Sequence, residues 1–190
     1  MEAKSVKSLN LPKVFTSEIF WIVSFSVLTA VSSQISFPVE PVPFTLQTMF
    51  VVLAGAFLGS KNGAYSQLIY LFAGVIGLPV FANGSMGIGT LIGPAGGYLF
   101  AFPLAAYLTG FIVERNKNYF IVLLAMLVSS LLVIICGTLF LNTFYLHDFS
   151  QALEAGAAIF SVWEVAKIVA AASIYFGIVK TNSSRKSRTR

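Results

Sequence analysis

Charge is the scarcest property of this chain. Only 10% of its 190 residues are Asp, Glu, Lys or Arg, 57% are hydrophobic, and mean hydropathy is +0.85. Soluble domains carry about 25% charged residues, so a water-facing surface cannot be built here. Cysteine and histidine are nearly absent too. The lone Cys136 permits no intrachain disulfide and reads as a small buried hydrophobe. With His147 as the only histidine, a zinc helix of the HExxH type is excluded. No GxxxxGK[ST] occurs, so the chain has no P-loop with which to use ATP. No GxSG occurs with a histidine inside a span, which argues against an intramembrane serine protease. These absences point away from an enzyme and leave binding or permeation.

What the chain does have is a series of apolar blocks on the length scale of a bilayer core. They lack the alternation of a membrane barrel and therefore favour helices. Spans are predicted at about 15–35, 45–58, 64–78, 97–113, 119–141 and 159–179. The expected fold is an all-α integral membrane protein with six transmembrane helices in one domain, 15–180. A polar, basic segment, 1–14, precedes it, and a basic tail, 181–190, is expected to be disordered.

Six spans place both termini on one side, and the charges support that count. Lys4, Lys7, Lys13, Lys61, Arg115, Lys117, Lys180, Arg185, Lys186, Arg188 and Arg190 all fall on the side of the termini. The opposite connections hold Glu40, Asp148 and Glu154, with no Lys or Arg. The positive-inside bias makes the basic side, and both termini, cytoplasmic. The net charge of +5 is thus a topology signal and not a sign of nucleic-acid binding.

Lys167 is the exception. In "SVWEVAKIV" it follows Glu164 by three residues, so both side chains share one helix face inside the sixth span. A charge at mid-membrane costs about 2.5–3.5 kcal/mol on insertion scales and normally faces a protein interior or a wet cavity. Two readings follow: an ion pair tying helices together, or the polar floor of an outward-facing pocket. The second is favoured, with a visiting solute, and not the scaffold, expected to satisfy the pair.

Other residues could face the same pocket. Asn83 lies in "FANGS", where Asn-Gly is first of all a turn signal. Gln47, in "PVPFTLQTMF", either reaches a solute or bonds another helix. Trp163 sits where indoles anchor at a boundary, and Tyr70 lies inside the third span. Gly87, Gly89 and Gly93 imitate a nucleotide loop, but no strand precedes them. They read instead as sites of close helix approach, as do Gly55 with Gly59 and Ser26 with Ala30. A lipid-side Ser26–Ala30 stripe could also dock another membrane protein.

Three strings, in this order and at span boundaries, resemble a known family: "PVPFTLQT" after the first span, "GLPVFANGS" after the third and "LIGPAGGYLFAF" opening the fourth. They are similar to the BioY family, the biotin-specific S components of energy-coupling-factor transporters, over about 27–179. The resemblance implies six helices around a vitamin site near the outer side, with a proline-stiffened first loop (Pro38, Pro41, Pro43) as a lid. It implies biotin as transported substrate, no cofactor, and a bacterial plasma-membrane location. The implied partners are a transmembrane coupling protein and two ATPase subunits. Asn83 corresponds to the family's ligand-holding amide. Glu164 and Lys167 stand where the family has "DxxK", here "ExxK", and its Pro-Gly before the acid is replaced by Val162 and Trp163. The family's "AxxxA" contact with the coupling protein corresponds to Ser26 and Ala30. The departure at Glu164 leaves an S component for another vitamin as one alternative. A membrane scaffold with a purely structural ion pair is the other.

Overall fold

A computed structural model describes residues 17–37, 40–159 and 162–188. The predicted segment 1–14 and Pro38 lie outside them. Helices run over Glu18–Ser33 (α1), Gln47–Val75 (α2), Ile88–Ile92 (α3), Gly96–Arg115 (α4), Tyr119–Leu141 (α5), Phe149–Ile159 (α6) and Val162–Arg188 (α7). Two short strands, Ser36–Phe37 (β1) and Phe44–Thr45 (β2), pair antiparallel with Ser36 opposite Thr45.

The second and third predicted spans are the two halves of α2. Gly59 breaks it, with φ 82° and ψ −179°. Residues 47 and 70 would be about 34 Å apart on a straight helix, yet Gln47 Nε2 donates to the Tyr70 hydroxyl at 2.5 Å. The halves therefore fold back on each other. The turn was expected across "GSKNG", but helix resumes at Ser60. Its first N–H groups would be left without intrahelical partners. Glu114 from the end of α4 supplies one: its Oε1 accepts from the Ser60 N–H at 2.7 Å. A carboxylate there also complements the positive end of the helix. Close approach does the rest, since a Cβ on Gly55 would lie 2.2 Å from the Ala106 carbonyl oxygen. That packs α2 against α4, the most extensive contact in the bundle; α5 lies on α4, and α7 touches α2 and α5.

Elsewhere helices cover most of the predicted segments, α5 to the residue. Three local features differ. The Gly-rich loop contains the single-turn helix α3. The polar connector before the last span forms a π-turn over Asn142–Leu146 and then α6. The tail expected to be disordered continues α7 to Arg188. Nothing in "KTNSSRKSR" breaks a helix, since it holds neither Pro nor Gly.

The core is mainly apolar but also encloses polar side chains, and the surface is apolar as well. Thr29, Ser33, Ser66, Gln67, Thr109 and Ser129 have no exposed surface, whereas Ile19, Phe72, Phe120 and Ile135 are more than half exposed. Such a surface suits hydrocarbon as solvent and makes an aggregating patch in water. Among the described residues, two helical stretches are long and apolar enough to cross a bilayer, Gly96–Arg115 and Tyr119–Leu146.

The connections gather at two ends. Residues 34–37, 40–46, 76–95, 142–159 and 162–163 meet at one end, where Gln34 bonds Phe81, Tyr145 bonds the Ile92 carbonyl, and Trp163 packs edge-on against Phe37. The opposite end carries the Gly59 turn, Glu114, and the tilted contact of Tyr119 with Phe176. Glu40, Asp148 and Glu154 lie at the first end; Lys61, Arg115 and Lys117 lie at the second.

Candidate functional site

Under the first end lies a cavity of ≈ 260 Å³, near the lower limit of about 300–1,000 Å³ usual for small-molecule sites. Its position follows from a short helix. Residues 47–58, the first half of α2, rise only about 18 Å, against about 35 Å for the 23 residues of α5. The cavity is lined by the residues at the start of this short helix, Phe44, Thr45, Gln47 and Thr48. Phe44, Phe81, Tyr98, Leu99, Phe102 and Val133 supply apolar walls.

Glu164 and Lys167 form the polar floor. They are 1% and 6% exposed and make a direct ion pair along α7. Each has further partners. Ser130 on α5 donates to Glu164 Oε1 at 2.5 Å, and Thr48 on α2 donates to Oε2 at 3.3 Å. Lys167 Nζ donates to Thr48 Oγ1 at 2.7 Å and to the Thr45 carbonyl at 2.9 Å. An ammonium has three protons, and Glu164, Thr48 and Thr45 take all three. The expectation that a solute must satisfy this pair is therefore corrected: the scaffold already does so, because the start of α2 and the middle of α5 bring hydroxyls and a carbonyl to it. Both groups nonetheless line the cavity.

Gln47 and Asn83 line it as well. Gln47 fulfils the helix–helix alternative, donating to Tyr70 while its Oε1 accepts from Thr45 Oγ1 at 2.9 Å. Asn83 fulfils the turn alternative, with φ 57° and ψ 29°, and its Oδ1 accepts from Ser36 Oγ at 2.7 Å. Tyr70 does not reach the cavity. It is 1% exposed and stands behind Gln47, edge-on to Phe81 at 5.6 Å. Trp163 is half exposed against Phe37, away from the cavity.

Ser26, expected on a docking surface, is buried. Its Oγ donates to the Ser66 carbonyl at 2.5 Å, and Ala30 packs against the core around the cavity. The small-residue stripe is used to seat α1 on α2, since a hydroxyl in apolar surroundings seeks a nearby acceptor. Sequence reasoning missed Ser130, Thr45 and Thr48. A polar residue inside an otherwise apolar span was the available signal, in "MLVSSLLV" and "FTLQT", but the partner of each lies far along the chain.

The profile described as the BioY family matches residues 2–184. The chain belongs to the BioY family. Among its relatives, the "Biotin transporter BioY" of Thermotoga maritima is 40% identical over 161 residues, 85% of this chain and 95% of that protein. The "Probable biotin transporter BioY" of Pyrococcus horikoshii is 40% identical over 157 residues, 83% of this chain and 93% of that one. A solved structure described as the S-component for biotin from an ECF-type ABC transporter superposes with a TM-score of 0.82. It covers 90% of this chain and 94% of its own at 23% identity, a likeness of fold. This BioY chain thus places its "ExxK" pair and its loop amide around one cavity.

Proposed function

We propose that this chain is the substrate-binding membrane subunit of a biotin uptake system, holding biotin in the cavity floored by Glu164 and Lys167. The observation that carries the reading is that floor: two buried opposite charges lining a small, mostly apolar cavity in a BioY chain. Biotin carries N–H donors and a carbonyl on its ureido ring, a carboxylate at its far end, and apolar carbon between. Glu164 keeps lone pairs beyond those used by Ser130, Thr48 and Lys167, and a carboxylate offers about four acceptor sites. It can take a ureido N–H. The Asn83 amide is placed to bond a polar atom of the solute from the loop side. Lys167 reaches a ligand oxygen by releasing one partner, the bond to the Thr45 carbonyl being the longer of its two hydrogen bonds outside the pair. The aromatic walls suit the thiophane ring and valeryl chain.

In this reading α1, the two halves of α2, α4, α5 and α7 make six crossings of the plasma membrane. The cavity end, with its acidic connections, faces out; the end with Lys61, Arg115 and Lys117 faces the cytoplasm, and both termini lie there. With no P-loop in the sequence, energy comes from separate subunits, a transmembrane coupling protein with two ATPases. Docking of that protein uses another surface than Ser26, which is buried.

A structural role for the pair has one observation in its favour, the full satisfaction of Lys167 by the scaffold. Denaturing mass spectrometry of protein purified from biotin-replete cells separates the readings. Biotin released in stoichiometric amount supports the proposal. A different vitamin in its place assigns another substrate. No small molecule, together with no uptake of labelled biotin by membranes containing the full transporter, leaves the scaffold.

A further inference from the structure

The end of α1 touches the Asn83 loop through side chains in a fixed register. Ser33 Oγ donates to the Val80 carbonyl, Gln34 Nε2 to the Phe81 carbonyl, and Ser36 Oγ to Asn83 Oδ1. Each pair is separated by the same 47 residues, so the two segments run alongside each other in step. Gln34 does one thing more: its Oε1 accepts from the Gly84 N–H at 3.1 Å. Its orientation is fixed by chemistry, because a carbonyl can only accept and an N–H can only donate. One carboxamide therefore spans both flanks of Asn83, as a neighbouring peptide group would.

The loop closes partly on itself. Ala82–Gly84 form a single 3-10 turn, Phe81 N–H donates to the Ser85 carbonyl, and the Ser85 N–H and hydroxyl both donate to the Ala82 carbonyl. Asn83 and Gly84 both have positive φ, 57° and 68°, a conformation that asparagine adopts at some energetic cost. A third bond, Gln34 Nε2 to Ser33 Oγ at 2.7 Å, holds the carboxamide itself in place.

We infer that Gln34 is the positioning residue for Asn83: its carboxamide, clamped between the Phe81 carbonyl and the Gly84 N–H, sets the left-handed turn that presents Asn83 to the cavity. Gln34 acts through Asn83 and is itself absent from the cavity lining. The ligand-binding part of this inference rests on the biotin reading. The clamp itself does not.

Two measurements on the full chain in nanodiscs decide it. The first is hydrogen–deuterium exchange of peptides covering residues 80–86, with no ligand present. Gln34→Ala is expected to speed exchange there and to leave α4 and α5 unchanged; exchange equal to wild type overturns the clamp. The second is a cycle of Gln34→Ala and Asn83→Ala read by labelled-biotin affinity. Gln34→Ala is expected to weaken binding about ten-fold, the scale of one or two lost hydrogen bonds. In the Asn83→Ala background it should add almost nothing. An equal loss in both backgrounds, or none in either, overturns the positioning role. Should Gln34→Ala fold poorly, Gln34→Glu serves, since it keeps the acceptor for Gly84 and loses the donor to Phe81. If wild type binds no biotin, the biotin reading fails and the positioning role with it, while exchange still judges the clamp.

Discussion

The Ser130 hydroxyl on α5 donates to Glu164 Oε1 on α7 at 2.5 Å, and both groups are buried. One bond thus ties two helices together and fixes the carboxylate at the cavity floor. Ser130→Ala leaves that oxygen without its donor, at a cost of about 1–3 kcal/mol. Thermal unfolding in detergent should show the loss, with biotin affinity falling alongside, and Ser130→Thr should restore most of both.

The ion pair allows folding and binding to be separated. Lys167→Ala or Glu164→Gln alone leaves a buried charge uncompensated, which destabilises by about 3–5 kcal/mol. Replacing both with leucine removes the charges together and should recover much of that stability. The same double variant should bind no biotin. Unfolding curves and labelled-biotin binding on the three variants check this.

Gly74 sets the position of a cavity wall. A Cβ there would lie 2.0 Å from the Phe81 ring, which is itself a cavity wall. The ring must move away from α2, and the open side is the cavity. Gly74→Ala is expected to lower biotin affinity about ten-fold, a loss of about 1.4 kcal/mol, with a smaller change in unfolding temperature. Gly137→Ala acts alike through Tyr98, whose ring is 2.3 Å from the added carbon.

Much of this arrangement was legible in the sequence, for physical reasons. Glu164 and Lys167 stand out because charges are rare in apolar spans, and their spacing of three puts them on one face. Four predicted segments, those of α1, α4, α5 and α7, are bounded by polar, Gly- or Pro-bearing connections, so their positions read directly. The turn between the halves of α2 was misplaced because Gly59 makes it alone, aided by Glu114, which lies far away in sequence. The satisfaction of Lys167 was illegible for the same reason: Thr45 and Thr48 lie more than 100 residues earlier, and only folding brings them there. Ser26 was legible as a site of close helix approach, but a small-residue stripe does not say which helix it meets, and here it is α2. The clamp by Gln34 was missed because a polar residue just past a span reads as boundary solvation.

The Gly59 turn can be tested apart from the cavity. Its φ of 82° suits glycine, and a Cβ would meet Glu114 Oε1 at 2.3 Å. Gly59→Ala should destabilise by about 1–3 kcal/mol through backbone strain. Glu114→Gln keeps an acceptor for the Ser60 N–H and should lose less than about 1 kcal/mol. Thermal unfolding in detergent orders the two.

Isothermal titration of the purified chain with biotin, beside the Glu164→Leu/Lys167→Leu variant, tests the central claim most directly. Saturable binding of one biotin per chain, displaced by excess biotin but not by thiamine or riboflavin, and abolished in a double variant that still unfolds cooperatively, is the expected result. Undiminished biotin binding by the double variant would contradict the assignment of the pair as the floor of the site.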